Sequence, residues 1–174
     1  MKPFIGIKKI WYGDVITTAV TKSSLKTWLG TATEVENSHQ DTWAYTEDDP
    51  TYTDYINELN GSIYYRDVTQ KGAKTIAFTM GAFSFDDKVD LEGGEKIDTD
   101  AGWASSDTPG IVNKAIVGQT KTGNYIVFTN AAVIAKGNAV EKNIGLGITA
   151  VAMENPNSGV KSDYLFDGEK VEAE

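Results

Sequence analysis

The sequence predicts a mainly β fold, an antiparallel β-sandwich or barrel with one or two short helices. Three observations carry this. From Asn113 to Met153 the chain is a succession of β-branched and aromatic runs separated by short turns. Asn60-Gly61, a strong two-residue turn signal, separates Thr51–Leu59 from Ser62–Arg66, which makes a further hairpin. Only two stretches have helical spacing, and both are short. Strands that follow one another through short turns pair antiparallel.

Taken in order, residues 1–7 form a short apolar arm with Pro3 and Gly6 as breakers. Lys8–Tyr12 reads as the first strand, and Val15–Val20 has only a weak extended pattern. Ser23–Gly30 reads as a short helix with Ser23 as N-cap and Leu25, Trp28 and Leu29 on one face. Gly30 is expected in the left-handed C-terminal position. Thr31–Asp41 reads as loop or edge strand, and Thr42–Thr46 as strand, stopped by Glu47-Asp48-Asp49-Pro50. After the hairpin, Asp67–Ala73 is expected as loop and Lys74–Met80 as strand. Phe85–Glu92 is expected as a short helix ended by Gly93-Gly94. Residues 95–110 read as a long acidic loop containing Trp103 and Pro109; unstructured loops of that length are usually functional or mobile.

Asn113–Thr120 and Asn124–Ile134 are expected as paired strands, with a break at Lys136-Gly137-Asn138 before the strand Asn143–Met153. In that last strand Ile144, Leu146 and Ile148 share one face, and Gly145, Gly147 and Thr149 the other. One face fills a core. The bare one marks either a bulge or bend, or a place where another backbone or subunit comes close. Val160–Phe166 forms a last strand, and residues 168–174 a frayed, flexible tail. The whole chain, 1–174, reads as a single β domain without a solenoid or propeller repeat.

Composition limits the chemistry. Hydrophobic residues make up 40% of the chain, enough for a core in 174 residues. With no cysteine there is no disulfide framework, thiolate metal site or thiol nucleophile. His39 is the single histidine, so a multi-histidine metal site is excluded. The net charge of −9 opposes a surface that grips phosphates, though not one that DNA passes without sticking. The start of the chain lacks the apolar run of a signal peptide, and no segment has the ~20 apolar residues of a membrane span.

No motif supports catalysis. Asp98-Thr99-Asp100-Ala101-Gly102 resembles the start of a calcium loop but lacks the closing glutamate and flanking helices, so a solvated acidic loop is the reading. Glu47-Asp48-Asp49 reads the same way. Gly145-Leu146-Gly147 lies inside a strand and fails the context of a dinucleotide-binding turn. No enzyme, metal or cofactor is expected. The aromatics crowd the first hairpin region, and neighbours such as Trp11-Tyr12 and Tyr64-Tyr65 must face opposite sides of a strand. Core packing, a subunit interface and a sugar-stacking platform are all open to them.

In their order, several stretches resemble a phage major tail tube protein of the type found in phages and prophages of Bacteroidetes-like hosts. They are Ile10-Trp11-Tyr12-Gly13; Tyr45-Thr46-Glu47-Asp48-Asp49-Pro50-Thr51; Gly72-Ala73-Lys74-Thr75-Ile76-Ala77-Phe78; Leu91-Glu92-Gly93-Gly94; and Ile144–Ala150. The resemblance covers most of residues 4 to 153. The Asp86–Glu92 helix departs from it, with less leucine and alanine than that family would have.

The resemblance implies a tail-tube-like sandwich or barrel with a helix at its side. Its subunits form hexameric rings that stack into a hollow tube for DNA passage. It implies self-association, other phage tail proteins as partners, DNA only as non-specific cargo, and no membrane. It places the chain in the host cytoplasm during assembly and then in the virion tail. It gives Phe4 of the arm, Trp103 of the long loop, and Gly145 and Gly147 as assembly-interface residues, and a lumen lined with carboxylates. The alternative is a non-catalytic carbohydrate- or ligand-binding β-sandwich.

Overall fold

A computed structural model describes residues 1–108 and 110–172. Twelve strands and three short helices are present among them: β1 Lys9–Gly13, α1 Lys22–Leu29, β2 Thr33–Glu34, β3 Ala44–Glu47, β4 Thr51–Ile56, β5 Ile63–Gln70, β6 Lys74–Met80, α2 Phe85–Glu92, β7 Glu95–Ile97, β8 Gly102–Ala104, β9 Val112–Gln119, β10 Tyr125–Val140, β11 Asn143–Ala152, β12 Asp163–Phe166 and α3 Gly168–Glu172. The main sheet has the order β2-β1-β9-β10-β11-β6-β3, with β12 added beside the first half of β10. Every pairing in it is antiparallel. The fold is mainly β and sandwich-like, and the sheet curls without closing into a barrel.

Alternation along the strands builds two cores. On one face Ile10, Tyr12, Ile76, Phe78, Ile116, Phe128, Leu146 and Ile148 pack together under α2, which contributes the buried Leu91. On the other face of β1, β9 and β10, Trp11, Val117 and Val127 pack against Leu25 of α1 and Val171 of α3. Trp11 and Tyr12 thus serve opposite cores. The curl brings the far edge back: Tyr45 of β3 lies 6.3 Å from Phe128, and Trp43 fills the space over Gly118 of β9.

Several elements differ from the expectations. The N-cap of α1 is Thr21, not Ser23. Its hydroxyl accepts from the Ser24 N–H, and Ser24 Oγ accepts from the Thr21 N–H, a reciprocal cap that draws the start two residues earlier. Gly30 is right-handed (φ −71), because its N–H and that of Ala32 keep bonding back into the last turn. The strand expected to break at Lys136-Gly137-Asn138 continues to Val140. The chain reverses instead at Glu141-Lys142, both at positive φ (50 and 102). Ile144 lies beyond the core and is 74% exposed. The long acidic loop contains the hairpin β7–β8; its Pro109 lies outside the described residues. The expected tail is α3 through Glu172, anchored by Val171, while positions 173 and 174 lie outside the described residues.

Two buried phenols tie the helices to the strands. Tyr12 donates to Asp87 of α2 at 2.6 Å, and Tyr125 donates to Glu172 of α3 at 2.8 Å. Burial first, then the neighbouring carboxylate, raises both pKa values well above the ordinary 10.0. A folded-state pKa raised above the unfolded one contributes stability that is complete below the unfolded value. That contribution fades as pH climbs from there toward the folded value. The melting temperature is therefore expected to fall as pH rises above about 10, and Tyr12→Phe to flatten that fall. Thermal melts across the alkaline range, followed by circular dichroism, check it.

Candidate assembly interface

The second half of β10, with β11, β6 and β3, forms a four-stranded antiparallel layer open at both sides. β9 ends opposite Val133, so from Ile134 to Val140 the outer edge of β10 has no strand beside it among the described residues. β3 pairs with β6 on one side and has no strand on the other. The strands alternate in direction, so the two free edges run antiparallel to each other. A neighbour's β10 set beside β3 would continue the ladder.

The Glu141-Lys142 turn fixes which groups the β10 edge offers. In a two-residue turn the flanking residues, Val140 and Asn143, form the hydrogen-bonded pair. Counting back by twos, Asn138 and Lys136 also point their N–H groups at β11, while Gly137 and Ala139 point theirs outward. The edge carries few of the devices that blunt open strands: no proline, no bulge between 134 and 140, and one charged side chain, Lys136.

The two edges are staggered. Following the pairings across the layer, Ala44 lies level with Ile134 through Ala77 and Thr149. The middle of the free stretch of β10 therefore lies about four to five residues along the strand from the level of β3. Closing a sheet into a barrel of strands tilted ~35–45° needs about four to six residues of stagger over four strands, which matches.

The layer has one face on the core and one without a helix on it. On the uncovered face lie Thr75, Ala77, Ala132, Ile134, Lys136, Asn138, Gly147, Thr149 and Val151, neutral side chains apart from the lysine, with Ile134 58% exposed. Among the described residues of these four strands no carboxylate lies on it. The carboxylate lining implied by the resemblance is therefore not a property of this face; Asp48, Asp49 and Glu141 sit at its ends.

The four residues picked from the sequence are not brought together. Phe4 is half-buried and packs on the chain's own core. The arm around it is held by Asn124, which donates to Lys2 O, and by the Lys121 N–H on Ile5 O. Trp103 is half-buried in β8, with Lys88 4.0 Å over its ring and its indole N–H on Gly93 O. Gly145 and Gly147 lie on the outward face as expected, but both meet their own chain. A Cβ on Gly145 would stand 2.6 Å from Met80 O, and one on Gly147 2.9 Å from Asn138 Cβ. Asn138 reaches past Gly147 to donate to Thr79 Oγ1 at 3.0 Å. Gly147→Phe is therefore expected to break that bond and to lower monomer stability by ~1–3 kcal/mol, not to spare the fold. Urea unfolding of dilute protein measures this.

The remaining sequence candidates have ordinary settings. Asp98, Thr99 and Asp100 are all left-handed, and Lys96 bridges Asp100 (2.7 Å) and Asp86 (2.6 Å), so these carboxylates hold the hairpin together. His39 donates its backbone N–H to Thr79 O and lies 4.0 Å from Glu141. No helix among the described residues is long and apolar enough to cross a membrane.

The free edges were missed in the sequence because no residue type marks an open strand edge. The available signal was the length of β10 relative to β9. Compared with known proteins, the chain matches no family model, and a search of the curated proteins finds no significant match.

Proposed function

We propose that the protein is a structural, self-assembling subunit of the phage tail tube kind. Its copies join edge to edge, β10 of one beside β3 of the next, into hexameric rings that stack for DNA passage. The observation that carries this reading is the four-stranded layer with two free, antiparallel, staggered edges. A contact between two different edges is head-to-tail, and such contacts close into rings when the rotation allows. Six copies would supply four strands each, a wall of about 115 Å around at ~4.8 Å per strand before tilt widens it. That bore is wider than a DNA duplex. The uncovered face would line it, and its neutral side chains give phosphates no grip beyond Lys136. Assembly would take place in the host cytoplasm, with other tail proteins as partners.

The exposed tyrosines do not favour a sugar platform as strongly. Tyr55 and Tyr65 are tilted 46° to each other, and Arg66 lies 4.0 Å over the face of Tyr52. Sugar-stacking surfaces need open, coplanar rings. Negative-stain microscopy of concentrated protein tests the assembly reading, with rings or tubes expected. A uniform field of monomers, together with tryptophan quenching by one member of a glycan panel, would replace it with the ligand-binding reading.

A further inference from the structure

We propose that the segment between β8 and β9, residues 105–111, is a strap that closes over the free edge of β10 and so regulates the edge contact from within the subunit. The inference rests on the assembly reading above and adds to it a competitor for the same edge.

The register of β9 on β10 selects this segment. The two strands pair through Lys114↔Ala131, Asn113↔Ala132 and Val112↔Val133, and there the pairing stops. The chain before Val112 is exposed on its way from β8. Extended in the same register, Ile111 falls opposite Ile134, Gly110 opposite Ala135, Thr108 opposite Gly137 and Ser106 opposite Ala139. Ala135, Gly137 and Ala139 point their N–H groups outward, so Gly110, Thr108 and Ser106 would turn theirs toward β10. The odd-numbered residues would point theirs away. The proline at 109 has no N–H and falls on one of those positions, so the ladder loses nothing by it.

The side chains agree with that register. Ile111 is 67% exposed, and Ile134 is exposed beside it, so closure would join them as a cross-strand apolar pair. Asp107 would lie opposite Asn138 and diagonal to Lys136. Neither Asp107 nor Lys136 has an ion-pair partner among the described residues, and the closed strap supplies one to each. Both ends of the strap are anchored already. β9 holds one, and at the other the Trp103 indole donates to Gly93 O with Lys88 over its ring. A segment fixed at both ends gives up little further entropy on closing.

A latch holds the strap open. Ser106 Oγ accepts from the Thr108 N–H at 3.2 Å and donates to Thr108 O at 3.1 Å. Both main-chain groups that Thr108 would offer to Gly137 are thereby turned on Ser106, and the chain bends at 107–108. The two arrangements exclude each other. With the strap closed, the edge has no free N–H for β3 of a neighbour; with it open, it has. Assembly then draws on the open form alone, and the closed form keeps dilute subunits from pairing at random.

Ser106→Val removes the latch and puts a β-branched side chain at an extended position. It is expected to raise the ratio of closed to open strap about tenfold. In the dilute subunit the Gly137 and Ala139 amides are then expected to exchange several-fold more slowly than in wild type, with the amides of β1 unchanged. Rings are expected to need several-fold more protein to form. Ser106→Val/Thr108→Pro removes the N–H that the closed strap gives to Gly137 O and is expected to return both readings to wild type. Unchanged exchange in dilute Ser106→Val, or slowed exchange that the proline does not reverse, overturns the strap whether or not rings form. Slowed and reversed exchange with an unchanged ring threshold overturns its regulatory role. Slowed and reversed exchange with no rings from any form of the protein keeps the strap as a cover of the edge and removes the assembly reading.

Discussion

Proline at Gly137 is expected to abolish ring formation and leave the subunit folded. The Gly137 N–H points to the free edge of β10, so its loss removes no hydrogen bond to β11, and the edge of a sheet is where proline is tolerated. In an assembled ring the same position would face β3 of the neighbour. There the substitution deletes a ladder donor and puts a pyrrolidine ring into the contact, at a cost of ~3 kcal/mol, or roughly a hundredfold, per interface. The cost recurs at every interface of the ring. Asn138→Pro is the matched control. Its N–H points at β11, and its side chain also holds Thr79, so that variant is expected to lose the hairpin and with it the fold. Circular dichroism and sedimentation of the two variants side by side give the comparison. Rings from Gly137→Pro at wild-type concentrations would remove the edge from the account.

Phe128→Ala is expected to cost about 3–5 kcal/mol of unfolding free energy, read from the urea midpoint. The ring is fully buried, sits opposite Ile116 on β9, and stacks at a tilt on Tyr45. With total stability for domains of this size of about 5–15 kcal/mol, a loss of that size leaves little margin. The consequence extends beyond the core. Tyr45 belongs to β3, so the Phe128 contact holds one of the two free edges in place. The variant is therefore also expected to assemble poorly where it still folds. Tyr45→Ala isolates that second effect, because Tyr45 is only half-buried and its removal costs the core less.

The fold was legible where local chemistry and tertiary structure agree. Ile76, Phe78 and Met80 alternate, and they form the core face of β6. Asn60-Gly61 lies in the reversal of the expected hairpin, with Gly61 at φ 72, but the connection is the longer loop 57–62 between Ile56 and Ile63 and not a two-residue turn. Gly93 ends α2 through its N–H on Val89 O. Legibility failed where a non-local contact overrode a local signal. Gly137 looked like a breaker and is a strand residue, because a glycine at an open edge loses little by being extended. Glu141-Lys142 carries no turn signature, yet the register of ten pairs from Ala131↔Ala152 to Val140↔Asn143 forces the reversal there. The bare Gly145/Gly147 face was read as room for a neighbour, and a single long-range bond, Asn138 to Thr79, occupies part of it. Edges are the hardest feature to read, since an edge is defined by what fails to pair with it.

Amide hydrogen exchange at Gly137 and Ala139 tests the edge contact most directly. In dilute protein both N–H groups are open to solvent on the free side of β10 and exchange fast. On assembly they are expected to become protected together with β3, Ala44–Glu47, while the amides of β1 and β9 keep the protection they already have. Assemblies in which Gly137 and Ala139 still exchange as fast as in the dilute subunit would contradict the account.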